Sequence, residues 1–204
     1  MKILKNAQTK LRNEIQLIGK ENSKPILVIG VFHGEEPQGK FLIDEYLKKN
    51  SPNLLFIPCL NPDGMAIGKR TNANGVDLNR NYPTKNWQLT EKNEFFGGES
   101  PASELETKFM IEVLEQYKPE LILALHAPFK VVNYDGPAKE IAEKISQIIN
   151  YPVEPSIGYP TPGSFGTYCG IERNIPTITL ELDEEIPVED LLKPVHKIFD
   201  LLSI

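Results

Sequence analysis

The chain has only three histidines, and two of them close apolar runs. The stretch from Pro25 to Phe32 is apolar and rich in β-branched residues, so it reads as a buried strand. It delivers His33, with Glu36 three residues further on. A second run, Leu121-Ile-Leu-Ala-Leu, ends on His126 in the same way. Strand ends in open α/β sheets border the crevice where ligands bind. Two imidazoles and a carboxylate are a ligand set for catalytic zinc, which keeps a further position open for water or substrate. The close pair sets the local geometry, and the distant histidine arrives from a neighbouring strand. Singly, His33 and His126 read as structural histidines. Together, at two strand ends, they make His33, Glu36 and His126 the candidate metal ligands. Glu35 competes with Glu36, its alternative being a solvated carboxylate at a helix start. His196, in an amphipathic C-terminal segment, reads as a packing or surface residue.

A general base belongs beside such a metal. In Thr177-Ile-Thr-Leu-Glu181-Leu, alternation places Thr177, Thr179 and Glu181 on one strand face, with Ile178, Leu180 and Leu182 on the other. A carboxylate ending an otherwise apolar strand is costly without a partner or a task. Glu181 is therefore either that base or an edge carboxylate solvated beside Asp183, Glu184 and Glu185, and the strand pattern leaves both open. Arginines supply planar cations that grip carboxylates and stabilise oxyanions. Arg70 and Arg80 flank Gly75-Val-Asp-Leu-Asn79 and become candidates beside a metal; without one they read as surface arginines on a loop.

These residues need elements to hold them. Strands are expected over 14–19, 24–32, 54–59, 121–127 and 176–182, with a turn at Glu21-Asn-Ser between the first two. Helices are expected over 37–49, from Ser100 as N-cap with Pro101 at the first helical position to about Tyr117, over 138–149, and over 189–202. A short helix is expected over 166–173. Residues 60–100 show almost no periodicity, and so long an irregular segment in a compact domain points to function. Alternating strands and helices predict an α/β fold: one domain over 1–204, with a mixed, largely parallel sheet covered on both faces.

Composition narrows the rest. The chain has 204 residues, 40% hydrophobic and 25% charged, which describes an ordinary globular domain. A net charge of −6 gives no footprint for nucleic acid or an anionic membrane. No apolar stretch is long enough to span a bilayer, and the first residues lack a secretory core. Two cysteines, Cys59 and Cys169, form no disulfide framework and read as buried free thiols, so a cytoplasmic protein is expected.

The ordered set His33-x-x-Glu36, Asn61-Pro-Asp-Gly64, Gly75-Val-Asp-x-Asn79-Arg80-Asn, His126 and Glu181 resembles the zinc metallocarboxypeptidase family, over about residues 25–182. The resemblance implies one zinc ion per chain on His33, Glu36 and His126, and Glu181 as general base. It implies that Arg70 polarises the scissile carbonyl and that Asn79 and Arg80 grip the carboxylate of the released residue. The family's mobile tyrosine corresponds to Tyr159, with Tyr168 competing. Phe165 falls where the family shapes the pocket for the released residue, and Ser164 lies beside it. The segments Gly158-Tyr-Pro-Thr-Pro162-Gly-Ser-Phe-Gly166 and Pro101-Ala-Ser-Glu104-x-Glu-Thr107 resemble a subgroup, the bacterial murein peptide amidases. That resemblance implies hydrolysis of the γ-D-Glu–meso-diaminopimelate bond of L-Ala-γ-D-Glu-meso-diaminopimelate in cell-wall recycling. Arg173 is a candidate extra contact for the released residue, against a reading as a surface arginine. The alternatives are an N-acyl amino acid amidohydrolase of the aspartoacylase or succinylglutamate desuccinylase type, a general metallocarboxypeptidase, and a non-catalytic peptide-binding module.

Overall fold

The apolar runs become the middle of one eight-stranded sheet. The computed structural model describes residues 1–20, 26–155 and 158–203. Its strands are β1 (Lys2–Gln8), β2 (Glu14–Gly19), β3 (Ile26–Ile29), β4 (Leu55–Ile57), β5 (Leu121–His126), β6 (Val131–Asp135), β7 (Val153–Glu154) and β8 (Thr177–Glu181). They lie in the order β1-β2-β4-β3-β5-β8-β6-β7. The central run β4-β3-β5-β8 is parallel, β6 and β7 are parallel to each other, and the remaining pairings are antiparallel. The α-helices are α1 (Gln38–Lys49), α2 (Pro62–Ile67), α3 (Leu105–Tyr117), α4 (Lys139–Ile149) and α5 (Leu192–Leu202). Among the described residues, no helix is long and apolar enough to cross a membrane.

β3 and β5 are buried along their whole length, so they read as continuous apolar runs instead of alternating ones. On one face Val28, Leu123, Ile178 and Leu180 form a core with Ile43 of α1, Ile145 of α4 and Phe199 of α5. On the other, Leu27, Ile29, Ile122 and Ala124 form a second core with Phe109, Met110 and Val113 of α3. The result is the expected α/β/α sandwich with a mixed, largely parallel sheet. His196 serves packing: its Nε2 lies 3.0 Å from the Leu42 carbonyl and its ring packs against Tyr46.

Several boundaries differ from expectation. The turn at 21–23 and the start of the expected 24–32 strand lie outside the described residues. That strand ends at Ile29, because Val31 takes a left-handed conformation (φ 55) that a β-branched residue adopts only under constraint. The Asn61 amide supplies the constraint, donating to the Val31 carbonyl at 3.0 Å. The helix expected from Ser100 begins at Leu105. Asn81 draws the intervening residues away: its Nδ2 donates to the Gly97 and Ser100 carbonyls and to Ser103 Oγ, and Ala102 sits at φ 52. β1, β6 and β7 lie outside the expected strands. β1 is a largely exposed polar strand and β7 has two residues, so neither carries an apolar signal.

Candidate active site

The parallel strands bring the expected residues to one end of the sheet. β5 ends on His126 and β8 ends on Glu181, and the two are register partners. The chain leaving β3 turns at Gly30 and Val31 and presents His33, and Glu36 follows just before α1. His33 Nδ1 lies 2.7 Å from Glu36 Oε1, and His126 Nδ1 lies 3.0 Å from Glu36 Oε2. All three side chains are buried, and their ligand atoms lie within 4.8 Å of one another. Converging Nδ1 atoms on a carboxylate form a set that could hold a metal ion such as zinc. Glu35 is absent from this cluster; it lines the open cleft beside it. The Phe32 ring stacks on His126 at 5.1 Å and fixes its plane.

Electrostatics tie the cluster together. Burial opposes charge on His33, but the Asp77 and Glu36 carboxylates outweigh it and push the imidazole pKa up to about 9. Burial likewise opposes the Glu36 carboxylate, yet the two imidazoles hold it at about 2. Asp77, an acid fully buried in the Gly75-Val-Asp motif, is a further functional residue beyond the expected set. It accepts from Asn79 N at 2.8 Å and from Arg70 Nε at 3.0 Å, and lies 3.2 Å from His33 Nε2. Burial would raise its pKa, but His33, Arg70 and Arg80 keep it well below the usual carboxylate range. Asp77 thus fixes the orientation of His33 and Arg70 together. The motif position was visible in the sequence, but the partners are not sequence neighbours.

The Asn61-Pro-Asp-Gly64 segment proves to be a scaffold. Asn61 Oδ1 caps α2 by accepting from Gly64 N at 2.9 Å, and its Nδ2 donates to the Phe32 and Arg70 carbonyls, both at 3.2 Å. Asp63 accepts from Thr9 Oγ1, Leu11 N and Asn13 Nδ2, pinning the β1–β2 turn. Gly64 has no room for a side chain, because a Cβ there would meet Asn61 and the Thr71 carbonyl.

Glu181 is 5% exposed, and its Oε2 has no hydrogen-bond partner among the described residues. Burial raises its pKa, His126 opposes that, and the Glu36 charge adds to it. A carboxylate placed this way beside His126 can accept and return a proton.

Two cavities adjoin the cluster. A cleft of about 890 Å³ is lined by Glu36, Arg70, Arg80, Phe95, Phe129 and Tyr159, among others. A polar pocket of about 110 Å³ is lined by Glu181, Thr179, Asn79, Ser164, Asp135 and Tyr159, among others. Tyr159, 43% exposed, lines both, whereas Tyr168 is buried with the Arg173 guanidinium 3.3 Å from its ring centre. Arg173 also donates to the Tyr168 carbonyl, so it braces the 167–171 turn and lines neither cavity. Asn79 Oδ1 accepts from Phe165 N at 2.9 Å, and Arg80 Nη1 donates to the Asn79 carbonyl at 2.7 Å. Ser164 is buried and donates to Thr167 Oγ1. Phe165 lies in the core against Phe32 and Tyr82 and lines neither cavity. Cys59 and Cys169 are free and buried, and neither belongs to the cluster of His33, Glu36 and His126.

Known proteins resemble this chain in sequence and fold. The zinc carboxypeptidase family profile matches residues 2–142. Murein peptide amidase A of Escherichia coli K12 is 33% identical over 170 residues, 76% of this chain and 69% of that protein. The crystal structure of murein-tripeptide amidase MpaA from E. coli O157 superposes with a TM-score of 0.85 at 28% identity, covering 97% of this chain and 90% of that one. Carboxypeptidase A of Helicoverpa armigera shares the fold alone, with a TM-score of 0.74 at 16% identity over 98% of this chain and 68% of its own. With two histidines and a glutamate converging at the sheet end and a family profile covering most of the sequence, the chain belongs to the zinc carboxypeptidase family and is a zinc metallopeptidase.

Proposed function

We propose that this chain hydrolyses the γ-D-Glu–meso-diaminopimelate bond of L-Ala-γ-D-Glu-meso-diaminopimelate in the cytoplasmic recycling of cell-wall peptides. The observation that carries this reading is the likeness to a murein-tripeptide amidase over 97% of the chain. Buried, unpaired thiols agree with a reducing compartment.

His33 and His126, through Nδ1, and Glu36 would hold one zinc ion per chain. Bound zinc supplies a Lewis acid and lowers the pKa of water. Glu181 takes a proton from the attacking water and returns it to the departing amine; its buried, unpartnered Oε2 and raised pKa suit both transfers. Arg70, held by Asp77 at the cleft wall, donates to the carbonyl oxygen as negative charge develops there. Arg80 and Asn79 grip the α-carboxylate of the released residue, a task suited to a planar cation. Tyr159, at the join of the two cavities, contacts substrate on both sides of the scissile bond. Ser164 contributes to the wall of the small pocket, and the Phe165 backbone N–H holds the Asn79 side chain beside it.

The test is product analysis by mass spectrometry. Zinc-loaded protein is incubated separately with the tripeptide, N-acetyl-L-aspartate and the α-linked peptide L-Ala-L-Glu-L-Lys. Free diaminopimelate from the tripeptide, with the other two left intact, is the expected result. Cleavage of the N-acyl amino acid alone would replace this reading with an amidohydrolase, and cleavage of the α-linked peptide alone with a general carboxypeptidase.

A further inference from the structure

One wall of the large cleft carries an aromatic side chain that packing does not explain. Phe95 is 45% exposed and lines the cleft, whereas its neighbour Phe96 is buried. The pair sits in a tight turn: Phe96 N donates to the Asn93 carbonyl at 3.1 Å, and Phe95 N donates to Asn93 Oδ1 at 2.8 Å. The Phe96 carbonyl in turn accepts from Asp77 N at 2.8 Å, so the turn is fastened to the residue that holds Arg70. A phenyl ring left in water forgoes the burial that stabilises Phe96, and its task is to be sought in the cleft.

The Phe95 ring lies against the Arg70 guanidinium, whose Cζ stands 5.1 Å from the ring centre. The N–H donors of a guanidinium lie in one plane, so its edge and its face can be held separately. The edge belongs to Asp77: Nε and Nη2 both reach Asp77 Oδ2 at 3.0 Å. Two contacts that converge on one oxygen leave the plane free to tilt about it, and a contact on the face removes that freedom. The corner that remains is Nη1, 4.0 Å from Glu36 Oε1 and hence beside the candidate metal ligands. Arg70 also borders a second cavity, a polar groove of about 690 Å³ whose lining includes Glu94. A carboxylate there competes for a guanidinium that can tilt.

We propose that Phe95 is a positioning residue for Arg70: its ring fixes the plane of the guanidinium so that Nη1 is the donor turned toward the carbonyl oxygen of a bound substrate. Substrate in the cleft covers ring and guanidinium together and removes water from their contact, the condition under which a cation on an aromatic face is held most strongly. Phe95 therefore acts on the developing oxyanion through Arg70, and not by gripping the substrate itself. The task of Arg70 rests on the proposed function, whereas the hold of the ring on the guanidinium does not.

The test compares the zinc-loaded parent, Phe95→Leu and Phe95→Tyr by kcat and KM on L-Ala-γ-D-Glu-meso-diaminopimelate, each also in an Arg70→Ala background. Phe95→Leu is expected to lower kcat by about 5–30-fold, the range of a cation–aromatic contact that loses its water, with KM within about twofold of the parent. Phe95→Tyr keeps the ring and is expected to keep kcat. In Arg70→Ala, Phe95→Leu is expected to cost nothing further, because the residue through which it acts is gone. A Phe95→Tyr protein as slow as Phe95→Leu, a rise in KM with kcat unchanged, or the same loss with and without Arg70 would overturn the proposal. The Arg70 side-chain N–H resonances, identified by their absence in Arg70→Ala, provide a second reading that needs no turnover. A ring on the guanidinium face shifts these signals and slows their exchange with water, and Phe95→Leu is expected to remove both effects. If the parent leaves the tripeptide intact, the murein reading fails, and resonances that respond to Phe95→Leu but not to Phe95→Tyr still support the hold on Arg70. Resonances indifferent to Phe95→Leu would refute it.

Discussion

Replacing Asp77 by Asn probes how this site is held. The carboxylate is fully buried and takes contacts from Arg70 Nε and Nη2, each at 3.0 Å, from Asn79 N at 2.8 Å, and from His33 Nε2 at 3.2 Å. An amide keeps one acceptor oxygen and turns two N–H donors toward groups that are themselves donors. Breaking a buried ionic contact on one side costs about 3–5 kcal/mol. Arg70 retains some access to solvent, which favours the lower end, so about 3 kcal/mol of stability should be lost. At about 2–4 °C per kcal/mol for a chain of this size, the melting temperature should fall by roughly 10 °C. Loosening His33 and Arg70 together should also cost about 10–100-fold in metal affinity or activity. Urea unfolding, zinc competition titration and kcat/KM on the tripeptide read these effects separately. The sign with pH is fixed as well. An acid held below its ordinary range contributes stability above the unfolded pKa and loses it as pH falls through the folded one. The stability gap should therefore persist from pH 8 down to about pH 4 and narrow only below that. A variant within about 0.5 kcal/mol of the parent, with unchanged zinc affinity, would refute the positioning role.

Asp135 should behave in the opposite sense. Its pKa is raised to about 6, so the stability it allows is fully present below pH 4 and is lost as pH climbs through 6. Asp135→Asn should match the parent at pH 4 and exceed it by about 2–3 kcal/mol at pH 7, and an equal difference at both pH values in urea melts would contradict this. Asn61→Ala removes the α2 cap and two donations to the Phe32 and Arg70 carbonyls, and should cost about 2–3 kcal/mol. Its kcat/KM should fall too, whereas full activity with that stability loss would show that the scaffold does not position Arg70. Stripping metal with a chelator should lower the melting temperature and abolish hydrolysis while leaving the far-ultraviolet spectrum intact, because both cores are built without the cluster. Zinc should restore both, and a melting temperature indifferent to zinc would argue against a site on His33, Glu36 and His126.

Much of this architecture was legible because the parallel strands are buried on both faces. β3, β5 and β8 announce themselves as apolar runs, and their ends mark where His33, His126 and Glu181 must meet. The register that places His126 opposite Glu181 follows from parallel pairing, which sequence indicates only as a class. Asp77 and Asp135 escaped assignment because their meaning depends on partners distant in the chain: His33 and Arg70 for one, the backbone at Gly166 and Gly170 for the other. Phe165 carries the reverse lesson. Its position in a motif suggested a pocket wall, but two aromatic neighbours, Phe32 and Tyr82, were available to bury it. The segment 60–100 looked irregular because its order comes from asparagine and aspartate side chains binding backbone. Asn72, for instance, accepts from Asn74 N and Val76 N, contacts that leave no periodic trace.

Glu181 is proposed to move the proton at a zinc site that releases diaminopimelate. This role is tested most directly by Glu181→Gln with zinc content and melting temperature measured alongside hydrolysis of L-Ala-γ-D-Glu-meso-diaminopimelate. The variant should fold and bind zinc like the parent yet lose about 100-fold or more in kcat, as expected for removal of a general base. A Glu181→Gln protein that still releases diaminopimelate at the parental rate would contradict it.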